Sequence, residues 1–155
     1  MEINGVPLHP LVVHAVVIFG PLAGLTGLAY AFVPKWRWLL RWPMVALALT
    51  IAVTALVAKM AGDDLLEARP ELEPLVQDHM DYGNLLRTWA LTFVVDAALA
   101  AWALGGPSAL ASGRGAQESK GVVGWIAMAL LVVGSIGLLV LVFLTGDSGA
   151  KAVWG

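Results

Sequence analysis

Three histidines carry most of the coordination chemistry this chain offers. His9 and His14 stand five residues apart in Leu8-His9-Pro10-Leu11-Val12-Val13-His14, at the mouth of a long apolar run, and His79 lies in an acidic stretch further on. Neutral imidazole with carboxylate help suits Zn, Cu, Fe or Ni, which makes His14, His79, Asp63 and Asp147 a candidate set for a divalent transition metal. Facing histidines in a helical bundle also suit a b-type haem. Its candidate ligands are His14, His79 and His9, with Lys59 or Arg87 to meet the propionates. A third reading is structural, with the imidazoles anchoring chain segments through hydrogen bonds to carboxylates and carbonyls. The spacing of His9 and His14 is not that of a HExxH zinc site. Five residues turn a helix by about 140°, so these two share no face if both are helical. All three readings stand open at this level.

Other chemistry has less support. The chain has no cysteine, which excludes disulfides, zinc–thiolate sites and iron–sulfur clusters. A net charge of -2 offers no basic stripe for nucleic acid, and no Gly-rich phosphate loop follows a strand pattern. Ser108, Ser112 and Ser119 fall in a loop expected across the membrane from the histidines. Ser148 adjoins Asp147, but no strand–turn–helix elbow presents it. No catalytic residue is assigned. Asp96 lies mid-way along an apolar run, where insertion of an aspartate costs ~2.5–3.5 kcal/mol. Thr88, Thr92 and Asp96 follow each other at intervals of four, and Thr50 and Ser135 sit at comparable depth on other segments. That set is either a proton or ion relay or a protonated carboxyl joining helices by hydrogen bonds.

The elements that must position these groups are hydrophobic. Of 155 residues, 59% are hydrophobic and 13% charged, against ~45–50% apolar and ~25% charged in soluble domains. Four runs, about 10–33, 42–61, 85–104 and 121–145, meet the roughly 20 residues a membrane helix needs. The expected fold is all-α: a four-transmembrane-helix bundle forming one integral membrane domain over 1–155. The opening residues MEINGVP carry no positive n-region, so the first helix is expected to stay. Lys35, Arg37 and Arg41 in loop one, with Arg114 and Lys120 in loop three, assign those loops to the cytoplasm. Both termini and loop two then face outward from a bacterial cytoplasmic (inner) membrane. Trp36, Trp38, Trp42, Trp102 and Trp125 are expected at the inner ends, and Trp89, Tyr82 and Trp154 at the outer ends.

Loop two, about 62–84, is acidic. Leu75, Val76, His79 and Met80 recur there at helical spacing after Pro74, predicting a short amphipathic helix that Gly83 and Asn84 end. Gly20, Gly24, Ala23, Gly27, Gly134 and Gly137 supply small-residue packing faces, and Pro21 is expected to kink the first helix. Pro10 fits the first helical position, with His9 just outside. The two halves read as related parallel hairpins, each with a histidine near its start and a Gly-Asp near its end: His14 with Gly62-Asp63-Asp64, and His79 with Gly146-Asp147-Ser148. Such a repeat would gather His14, His79, Asp63 and Asp147 on the outer face.

The opening motif from Leu8 to His14 and the ending from Thr145 through Gly146-Asp147-Ser148-Gly149 to Trp154-Gly155 resemble a bacterial "predicted membrane protein" family of unknown function. The likeness covers the whole chain. It implies a small four-helix integral membrane protein with an outer-face His-Pro signature, a Gly-rich tail and no established activity. Some relatives are joined to, or encoded beside, redox domains, which implies other membrane or redox proteins as partners besides the lipid bilayer. Family members often place a histidine in the tail motif, where this chain has Asp147. The function expected is a non-enzymatic subunit or scaffold whose outer His/Asp cluster is structural. The alternative is a redox or metal-binding protein using His14 and His79. The glycine-lined helices suit oligomerisation.

Overall fold

The computed structural model describes residues 2–3, 5–104 and 121–155; the expectations placed on Ser108, Ser112, Arg114, Ser119 and Lys120 lie outside them. Two short antiparallel strands, β1 (Glu2–Ile3) and β2 (Val6–Pro7), open the chain. They meet at Gly5, whose φ of 77° lies in the left-handed region that glycine enters without steric cost. Four helices follow: α1 (Leu8–Phe32), α2 (Arg37–Ala68), α3 (Glu73–Ala103) and α4 (Gly121–Trp154). All four are long and apolar enough to cross a membrane. Single 3-10 turns, Pro34–Trp36 and Pro70–Leu72, join α1 to α2 and α2 to α3. Each begins with proline, whose missing N–H would be unpaired there in any case. The bundle runs up and down, so both termini lie at the end that carries the histidines.

Alanines make up much of the core, around a few fully buried large side chains such as Tyr30, Met44, Ile51 and Phe93. Ala23, Ala48, Ala55, Ala90, Ala97 and Ala127 are buried, whereas Ile18, Leu25, Phe32, Val95, Val133 and Phe143 face outward. Between membrane helices lipid supplies no hydrophobic drive, so close van der Waals contact between small residues must hold the bundle. The glycines do this along α4. Gly20 faces Val142, Gly24 faces Leu139, and Gly27 meets the Ser135 hydroxyl. On the other side, Gly134 receives Phe93 and Asp96, and Gly137 lies beneath the Trp89 ring. Trp89, expected at the outer interface, is instead in this α3–α4 seam. Its Nε1–H donates to the Gly134 carbonyl at 2.9 Å, which satisfies the one polar atom of a ring otherwise suited to the interior.

At the opposite end Arg37 is buried, although its sequence position reads as a loop charge. Its Nε and Nη2 donate to the Tyr30 and Ala31 carbonyls, each at 3.0 Å, and the guanidinium stands 5.8 Å from the Tyr30 ring centre. These carbonyls belong to the last turn of α1, which has no intrahelical partners for them. Arg37 therefore caps α1 from the first residue of α2.

Three local expectations are corrected. The helix expected in loop two forms, but as the first turns of α3; Gly83 and Asn84 lie inside it. One interior glycine costs only about 1 kcal/mol, and a continuous hydrogen-bond ladder is worth more than that where water is scarce. The Gly-rich tail is likewise helical to Trp154. α1 starts before Pro10, with Leu8 first, so His9 is within the opening turn; Pro10 breaks nothing there because first-turn N–H groups have no helical acceptor. Pro21 sits inside α1 without ending it.

Two predictions follow from this packing. Gly137→Ala is expected to lower stability by about 1–3 kcal/mol through overpacking against Trp89, while Gly146→Ala, with nothing within 4 Å of the added carbon, leaves it unchanged or raised; thermal unfolding in detergent compares them. Arg37→Met keeps the aliphatic stem and loses both capping bonds, for an expected loss of about 1.5–3 kcal/mol by the same measurement.

Candidate histidine site

Two histidines repeat one arrangement. From the first turn of α1, the His9 Nδ1 donates to the Ala58 carbonyl on α2 at 2.8 Å. From the start of α3, the His79 Nδ1 donates to the Thr145 carbonyl on α4 at 2.9 Å. Each ring lies against a glycine one turn beyond its acceptor. A Cβ added to Gly62 would come within 3.1 Å of the His9 ring, and one added to Gly149 within 3.0 Å of the His79 ring. The two hairpins thus use the same device: histidine at the start of the first helix, carbonyl and glycine near the end of the second. The internal likeness read in the sequence pairs His79 with His14; the recurring contacts pair it with His9.

The rings also meet each other. Their centres are 5.9 Å apart and their planes stand at 86°. Because a carbonyl can only accept, Nδ1 carries the proton in each neutral ring, and the Nε2 lone pair stays available. The same holds for His14, whose Nδ1 donates to the Pro10 carbonyl at 2.6 Å. All three histidines line one apolar cavity of about 500 Å³ at this end of the bundle.

The remaining residues of the expected site are distributed differently. His14 reaches the cavity but is exposed and bonded only within its own helix. Asp63 borders the cavity and pairs with Lys59 one turn back, both on α2. Asp147 pairs with Lys151 on α4 and is not part of the cavity wall. No group of three or more His, Cys, Asp or Glu gathers at metal-binding distance among the described residues. Ser148 donates to the Thr145 carbonyl rather than to a histidine.

Among the described residues, no hydrogen bond joins Asp96 to Thr50, Thr92 or Ser135. Its carboxylate lies against Gly134. Thr50 bonds back to Ala46, Thr88 to Asn84 and Thr92 to Trp89, each within its own helix. Ser135 is fully buried with its hydroxyl directed at Gly27, and has no hydrogen-bond partner. Residues that sequence reasoning did not single out complete the histidine device: the Ala58 and Thr145 carbonyls and Gly149. Backbone acceptors leave no signal in side-chain identity. Gly149, however, stands near the end of the last helix as Gly62 does near the end of the second, and that correspondence was available.

The family model described as "Predicted membrane protein (DUF2231)" matches residues 5–155. A search of curated proteins and of solved structures finds no match. The chain belongs to that family and is a multi-pass membrane protein.

Alanine at His9 or at His79 is expected to cost about 1–2 kcal/mol each, from one interhelical hydrogen bond and the lost ring packing. Alanine at His14 should stay within about 0.5 kcal/mol of the parent. Urea or thermal unfolding in detergent measures all three; equal effects at His9 and His14 would count against the paired device.

Proposed function

We propose that this member of the predicted-membrane-protein family is a non-enzymatic subunit or scaffold of the bacterial cytoplasmic membrane, with its histidine end and both termini on the extracytoplasmic side. The observation that carries this reading is the duplicated bond from histidine to carbonyl. It closes α1 on α2 and α3 on α4 with the same geometry, through the Nδ1 of each imidazole. Around it many polar groups are occupied locally: Thr50, Thr54, Thr88 and Thr92 by their own helix carbonyls, Asp63 and Asp147 by lysines one turn away, Ser148 by a backbone oxygen; the buried Thr145 hydroxyl has no hydrogen-bond partner among the described residues. Such groups position helices; they do not set a base beside a nucleophile.

Charge supports the orientation. Lys35, Arg37 and Arg41 cluster where α1 meets α2, whereas Lys59, Arg69, Arg87 and Lys151 are spread along the histidine end, so the orientation rests on the density of the first loop. Cytoplasmic loops are enriched in Lys and Arg. The outward faces, built of large aliphatic and aromatic side chains, suit lipid or the apolar face of another membrane protein.

The chain contains no cysteine, so single cysteines report topology directly. A membrane-impermeant maleimide applied to intact spheroplasts should label Glu71→Cys and spare Lys35→Cys; the reverse pattern would overturn the orientation. For the role as a subunit, mild solubilisation and native electrophoresis should place the chain with a second polypeptide to which it also cross-links in the membrane. Migration at its own mass without any cross-link would overturn that role.

A further inference from the structure

We propose that His9 and His79 are the two axial ligands of a haem seated in the apolar cavity at the histidine end of the bundle. This goes beyond the scaffold reading and does not rest on it, because each imidazole has a second nitrogen that the helix clamp does not use.

The first argument is the tautomer. With Nδ1–H held by Ala58 and Thr145, each ring presents Nε2 with its lone pair free. Metal-bound histidines are held in this way, the other ring nitrogen donating to a carbonyl that fixes ring orientation and raises ligand basicity. The second argument is the separation. An imidazole nitrogen binds a metal at about 2.0–2.1 Å and the ring centre lies about 1.1 Å behind it, so two rings flanking one metal stand roughly 6 Å apart. The centres of His9 and His79 are 5.9 Å apart, with planes at 86° that keep the rings from stacking face to face.

The third argument separates haem iron from a naked ion. A divalent ion in a protein site commonly wants four ligands, and no group of three or more His, Cys, Asp or Glu gathers among the described residues. Iron in a porphyrin brings four nitrogens of its own and needs two more, which is the number these helices supply. The cavity fits the same conclusion. Its volume of about 500 Å³ falls within the ~300–1,000 Å³ typical of cofactor sites, and Val13, Val16, Leu65, Leu72, Val76 and Leu86 line much of it. A bare ion has no use for that apolar volume; a macrocycle does. Lys59 stands at the wall paired with Asp63, and a propionate there would share its ammonium with that carboxylate. Binding forms two Fe–Nε2 bonds from the two lone pairs and leaves both Nδ1–H bonds intact.

The test uses the full chain, purified in detergent and titrated with haemin. The wild type should take up about one equivalent with a sharp Soret band and, after dithionite, the split visible bands of six-coordinate low-spin haem. His9→Gln and His79→Gln, whose amides retain a donor for the clamp, should each lose the low-spin spectrum and at least about tenfold in affinity. His14→Gln should behave as wild type. Adding free imidazole to His79→Gly should restore the low-spin bands, which a variant that is merely misfolded would not do. Val76→Trp, which fills the cavity and leaves both imidazoles in place, should block uptake. Haemin uptake no better than that of the double His9→Gln/His79→Gln variant would overturn the proposal. So would low-spin haem retained in both single glutamine variants, or stoichiometric binding of Zn²⁺ or Ni²⁺ through the same histidines by a protein that refuses haemin.

Discussion

Close approach of helices at glycine is the constraint on which the rest of the structure depends. In lipid, apolar side chains gain nothing by leaving their surroundings for one another, so a bundle persists only where surfaces fit closely. α4 provides the fit on both sides. Gly20, Gly24 and Gly27 bring α1 against Val142, Leu139 and Ser135, and Gly134 and Gly137 admit Phe93, Asp96 and Trp89 from α3. A single methyl at Gly137 would occupy the space of the Trp89 ring, and the Trp89 bond to the Gly134 carbonyl would go with it. The backbone supplies the other half of the constraint: with little water to hydrate it, each helix runs on through Gly83 or Gly146 where a soluble protein would have turned.

The two ends of the bundle solve the same problem by different chemistry. Where α1 ends, the Tyr30 and Ala31 carbonyls are taken by Arg37, a charge that tolerates burial because two of its donors meet carbonyls and an aromatic ring lies beside it. At the other end the connecting bonds come from neutral imidazoles. Neutral rings can sit in apolar surroundings at lower cost than a charge, and with Nδ1 donating to a carbonyl they keep an unshared pair on Nε2. The arginine has no unshared pair to offer and can only hold; the histidines can hold and still coordinate.

Asp96 illustrates how a membrane interior limits inference from spacing. Its alignment with Thr88 and Thr92 is real along α3, but a hydroxyl inside a helix can share the carbonyl three or four residues back. Thr88 and Thr92 both take that partner, and Thr50 does the same on α2. The carboxylate is left against Gly134, at a point where only a residue without a side chain leaves it room.

The sequence by itself determined the class of the protein. Hydrophobic runs long enough to span lipid, separated by proline and charge, permit nothing but helices, and four of them with glycine at regular spacing make a bundle. It also placed His79 on the inward face of a short helix ahead of the third span, because periodicity marks the apolar side of a helix; the fold makes that helix the first turns of α3. What it did not contain was the partner of His79. The matching position was read as His14, the histidine inside the first span, whereas the fold uses His9. α1 begins two residues earlier than Pro10 indicates, and from its first turn His9 bonds α2, while His14 stands exposed at the same cavity and bonds only its own helix. Helix starts are set by tertiary contacts as much as by local residue preferences, and the acceptors that fix this one are backbone carbonyls, identical at every position in the sequence. Only the packed structure could choose among them.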